Sequence, residues 1–145
     1  MAKPKGKVHV FSSAYAAAGR IRRWRPWQEV GVRFSKFHLP KTPFALPFDP
    51  KDYVWAGPVT LVLLEKTESE RASFRLGHYR RGVRKYLNML AGGQKIEPVV
   101  LLYHEAWGWT LQDGNHRYEA LVKHGAETYE AFLAKPKRPQ PIDRF

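Results

Sequence analysis

Ile96-Glu-Pro-Val-Val-Leu-Leu-Tyr103 and, six residues on, Trp109-Thr-Leu-Gln-Asp-Gly-Asn-His-Arg-Tyr-Glu-Ala120 decide how this chain folds. Residues 98–103 are apolar and β-branched behind a proline, the signature of a buried strand. Residues 104–108 turn, and 109–112 return as a second strand of a hairpin. Asp113-Gly114 is a turn pair. The spacing then predicts a helix over 115–124, with Tyr118, Leu121 and Val122 on its apolar face and Gly125 where such a helix stops.

Outward from that core the pattern continues in both directions. Residues 59–64 read as a buried strand, and the polar run 65–73 as loop. Val83, Tyr86, Leu87 and Leu90 fall at i, i+3, i+4 and i+7, so 80–90 reads as an amphipathic helix, ended by Gly92-Gly93. Tyr129, Ala131 and Leu133 alternate in a last strand over 128–134. The order strand, helix, strand, hairpin strand, helix, strand defines a small α+β domain over 51–134. Before it lies a basic extension, 1–50, rich in proline and aromatic residues. Residues 15–24 of that extension can form a short helix stopped before Pro26, and Pro40, Pro43, Pro47 and Pro50 make its end a loop. Behind the domain, 135–145 is a basic, proline-rich tail that is expected to be exposed.

The turn Asp113-Gly114-Asn115-His116-Arg117 carries the chemistry. A helix start leaves about four backbone N–H groups without intrahelical partners, and the helix dipole adds positive potential there. Gly114 lets backbone approach a ligand closely. His116 and Arg117 add donors, and a guanidinium can grip two phosphate oxygens at once. Asp113 can hold Mg²⁺ or accept a proton, which makes Asp113 and His116 the catalytic candidates. The plainer alternative is that Asp113 caps the helix, Gly114 makes the turn and Arg117 is solvated.

The run from Ile96 to Ala120, closed by Lys123-His-Gly125, resembles the ParB/sulfiredoxin superfamily over residues 80–134. There a helix, a strand opening with proline, a hairpin and an Asp-Gly-X-His-Arg turn lead into a helix with a small residue and a late glycine. The resemblance implies a mixed sheet with helices packed on it. It also implies a nucleotide site: ATP, CTP or ADP phosphates, with Mg²⁺, on Gly114, Asn115, His116 and Arg117. The family places an arginine just before the preceding helix, and Arg80 or Arg81 stands in about that place. Sulfiredoxins need a cysteine near Asn115, and this chain has none, so sulfinic acid reduction is excluded. The helix-turn-helix region of partition proteins does not follow here, so a complete partition protein is not expected. Stand-alone modules of this kind are often labelled ParB-like nucleases and are often carried by phages and plasmids. Nucleotide hydrolysis, phosphoryl transfer and nuclease cleavage all stay open, because a fold-level likeness does not fix a reaction.

Composition sets the outer limits. The 145 residues suffice for one core, and 43% hydrophobic content is not that of a disordered chain. With no cysteine, disulfides, thiolate metal sites and cysteine nucleophiles are excluded. Twenty-five Lys and Arg against thirteen Asp and Glu give a formal +12, a field that attracts nucleotides, DNA or RNA. Arg20-Ile-Arg-Arg-Trp-Arg-Pro-Trp27 interleaves cations with indoles. Arg20, Arg22, Arg23 and Arg25 can contact phosphates while Trp24 and Trp27 stack on bases, making the chain a DNA- or RNA-binding protein or nuclease without nucleotide dependence. The segment can instead pack its indoles onto the domain or lie on an anionic membrane surface. A protein-binding module without catalysis is a third possibility. His9, His38, His78, His104 and His124 fit no zinc spacing, so no metal site is expected from histidine. Glu65, Glu68 and Glu70 follow the first strand and form either a solvated acidic loop or a set of bases near the turn. No window is long enough to span a membrane, and the basic N-terminus lacks an uninterrupted apolar run, which leaves the cytoplasm as the expected compartment.

Overall fold

A computed structural model describes residues 11–32, 49–63 and 77–138, those of 77–79 by backbone alone. Within them run α1 (Ser12–Gly19), α2 (Trp27–Val30), β1 (Tyr53–Val62), α3 (Gly77–Ala91), β2 (Val99–His104), β3 (Gly108–Asp113), α4 (Asn115–His124) and β4 (Thr128–Pro136). The four strands form one mixed sheet in the order β1-β4-β2-β3. β1 runs antiparallel to β4, β2 antiparallel to β3, and β2 parallel to β4. A parallel pair needs a crossover, and here β3 and α4 supply it. The fold is therefore the small α+β arrangement that the order of elements implies.

β2 is central, and its sequence shows why. Val99 and Leu101 point into one core cluster, with Tyr118, Leu121 and Leu133. Val100 and Leu102 point into another, with Tyr53, Trp55 and Phe132. A strand buried on both faces must read as a continuous apolar run, as this one does. Phe11, just ahead of α1, and Ala14 and Ala17 within it enter the first cluster, while Trp27, Val30 and Val32 cover the second. Residues 11–32, assigned from composition to the extension, thus contribute to the layers on both sides of the sheet.

Several boundaries differ from the sequence reading. The helix expected over 15–24 begins at Ser12 and ends at Gly19. Beyond it the chain is drawn onto β1, where Arg25 and Trp55 exchange backbone hydrogen bonds of 2.8 and 2.7 Å. β1 begins at Tyr53 rather than at 59, passing Gly57-Pro58 through an irregularity in its pairing with β4. A proline is tolerated there because β1 is an edge strand and the ladder is already interrupted. α3 begins three residues before 80. β4 continues through Lys135 and Pro136, which pair with Val54 and Tyr53, so the first residues assigned to the tail belong to the sheet. The proline loop at 40–47, Glu65, Glu68, Glu70, His9, His38 and the tail from 139 lie outside the described residues.

Candidate functional site

α4 begins as the motif predicts. Gly114 has φ 99°, a left-handed conformation that L side chains adopt only under strain, and no side chain caps the helix. The first intrahelical bond runs from the Tyr118 N–H to the Gly114 carbonyl at 2.8 Å, so the N–H groups of Asn115, His116 and Arg117 lie ahead of it. A Cβ on Gly114 would lie 2.8 Å from Val99 Cγ1. This glycine is therefore required twice, by its dihedral angle and by the close passage of β2.

Arg117 is turned inward. Its Nη1 donates to the Pro98 carbonyl at 2.6 Å and to the Glu97 carbonyl at 3.2 Å. Its Nη2 lies 3.7 Å from Asp113 Oδ2, and its side chain is only 12% exposed. The guanidinium ties the start of α4 to the loop that launches β2, and Asp113 balances its charge. Neither residue matches the plain alternative: Asp113 does not cap the helix and Arg117 is not solvated. Nor is the arginine fork open to a phosphate as it stands.

His116 faces α3. A Cβ on Gly82 would lie 2.6 Å from His116 Cδ2, so the imidazole occupies the space that a side chain at 82 would fill. Glu119, one turn further along, is 1% exposed. Arg80 and Arg81 lie inside α3 rather than ahead of it, and they part company. Arg80 joins Val83, Arg84, Leu87 and Lys123 around a cavity of about 160 Å³ between α3 and α4. Arg81 is exposed and does not line it. His116 is packed between the two helices and does not line this groove, which carries three cationic side chains. Arg84, Lys123 and Glu119 are not among the site residues that the sequence predicts. Arg84 follows Arg80 by one helical turn, a signal that was present; Glu119 looks like any solvent-facing glutamate of a helix.

The arm separates its residue types. Trp24 packs against the first core cluster with the Lys135 ammonium 4.5 Å from its ring centroid, and Trp27 packs against the second. Arg20, Arg22, Arg23 and Arg25 are exposed and line a groove of about 400 Å³ with Ile21, Glu29, Val30 and residues 56–57. Both indoles pack on the domain while staying partly exposed, and the cations face outward.

The hairpin holds one further histidine. His104 is buried, its Nδ1 accepts the Ala106 N–H at 3.0 Å, and its ring stacks on Trp107 at 4.6 Å. Burial holds its pKa below the ordinary 6.5, with Glu105 pulling the other way. Burial likewise pushes the Tyr129 phenol up, reinforced by Tyr118. Among the described residues no three His, Asp or Glu side chains gather into a metal site, and no helix is long and apolar enough to cross a membrane. The chain matches no family model, no curated protein and no solved structure.

Proposed function

We infer that the protein is a ParB/sulfiredoxin-like nucleotide-binding domain whose ligand phosphates sit on the N-terminus of α4. One observation carries the reading: Arg80, more than thirty residues before the motif, lies on the helix that packs against His116. The succession of helix, proline-led strand, hairpin, Asp-Gly turn and glycine-terminated helix supports it as well. In this reading the N–H groups of 115–117 and the α4 dipole hold the phosphates. Arg80, Arg84 and Lys123 add long-range attraction, and Mg²⁺ arrives with the nucleotide.

The division of labour differs from the one the motif suggests. Arg117 acts by fixing the α4 start, as a positioning residue. Asp113 would have to leave Arg117 before serving as a base or a Mg²⁺ ligand, so the proposal is one of binding, by a domain of the cell interior.

Calorimetric titration with ATP, CTP and ADP, each with Mg²⁺, tests it. Binding of at least one nucleotide is expected, weakened about threefold at low salt in Arg80→Ala/Lys123→Ala, which removes two charges that attract the nucleotide from a distance without touching the α4 N-terminus. A wild-type protein that binds none of the three, or a double variant that binds as tightly as wild type, would overturn the reading.

A further inference from the structure

The arm forms a second cationic surface, built by a different part of the fold. From Arg20 to Arg25 the chain carries four arginines on five Cα–Cα steps, a reach of at most about 17 Å. All four are exposed, and among the described residues none is in an ion pair. Glu29 is the only carboxylate among the described residues of the groove they line. Lys135 adds a fifth positive charge beside Trp24.

The surface is held in place. β1 lies at the edge of the sheet, and the Arg25–Trp55 backbone bridge fastens the arm to it. Trp24 and Trp27 anchor the two sides of that bridge in opposite core clusters. The guanidiniums therefore project from a fixed track.

We propose that this track is a binding site for the phosphodiester backbone of a nucleic acid, read without regard to sequence. Its reach matches about five phosphates at one per 3.4 Å of strand axis, a polymer rather than one nucleotide. Trp24 and Trp27 are packed against the core clusters, so contact is with phosphate, and sequence preference is absent. Among the described residues, Ile21 and Val30 are the larger apolar side chains on the groove, too little for the broad apolar face that a lipid surface needs. This site stands apart from the α4 reading and does not depend on it.

Fluorescence anisotropy with a labelled mixed-sequence DNA, single-stranded and duplex, over a salt series tests the proposal on the full chain. Four arginines predict a slope of log K against log salt of about −3 for single strands and slightly steeper for duplex. Arg20→Ala/Arg22→Ala/Arg23→Ala/Arg25→Ala should lower affinity about tenfold or more and flatten the slope. Lys85→Ala/Lys95→Ala removes two charges elsewhere and should bind like wild type. Should the fourfold variant fail to fold, the single Arg22→Glu change, at an exposed position, is expected to weaken binding and reduce the slope by about 1. Three results would each overturn the assignment. They are unchanged binding in the arginine variants, an equal loss in the lysine control, and tighter binding to anionic phospholipid vesicles than to DNA.

Discussion

Arg117 at the start of α4 and Arg22 on the arm belong to a chain with a net charge of +12, yet they face opposite ways. Arg117 donates to two backbone carbonyls and approaches Asp113, with its side chain 12% exposed. Arg22 faces solvent beside three other arginines on a groove. Tyr118 directly follows Arg117 and Trp24 lies two residues after Arg22; Tyr118 is buried in the first core cluster and Trp24 packs against it. The difference shows that a basic residue in a motif is not automatically a ligand contact. Where a carbonyl pair and a carboxylate surround a guanidinium, its first task is to hold the backbone.

Substitutions on the two regions should separate stability from binding. The largest effect is expected for Gly114→Ala, which combines a positive φ with a Cβ 2.8 Å from Val99 Cγ1. Strain and overpacking together predict a loss of about 3 kcal/mol, read as a lower urea midpoint. Arg117→Ala strips donors from two carbonyls and leaves Asp113 alone, predicting a loss of about 2 kcal/mol in the same measurement. Arg117→Lys should recover little of it, because an ammonium cannot reproduce the planar fork. At the other end, Arg22→Ala and Arg23→Ala should each change stability by less than about 0.5 kcal/mol, although both weaken nucleic-acid binding. A stability loss at Arg22 as large as that at Arg117 would erase the distinction between the two regions.

The pH dependence of folding probes the hairpin that leads into the motif. His104 has its folded pKa depressed below 6.5, so the native state prefers the neutral ring. Above 6.5 both folded and unfolded forms are neutral, and the group contributes no pH dependence. As pH falls below 6.5 the unfolded chain takes up the proton first, and stability drops until the folded pKa is reached. Urea midpoints measured across that window should decline, and NMR titration of the His104 ring should place its midpoint below 6.5. A midpoint above 6.5 would contradict the burial argument.

Much of the fold was legible because apolar periodicity reports burial directly. The run at 98–103 announced a strand buried on both faces, and Gly125 announced the end of α4, which the structure places at His124. Less legible were features set by long-range packing. Gly19 is a local stop signal, but the Arg25–Trp55 bridge that draws the chain onto a strand some thirty residues away has no local trace. The inward turn of Arg117 depends on where the Glu97 and Pro98 carbonyls arrive, and a sequence does not give that. Gly82 reads as an interruption of a helical pattern until His116 is seen against it.

The account's central claim concerns the backbone N–H groups at the start of α4, and backbone amide NMR observes them directly. Titration of the full chain with Mg-ATP and Mg-CTP should move the amides of Asn115, His116 and Arg117 most, with saturable shifts for at least one nucleotide. Shifts confined to residues 20–25, or none at 115–117, would contradict the assignment of the phosphates to α4.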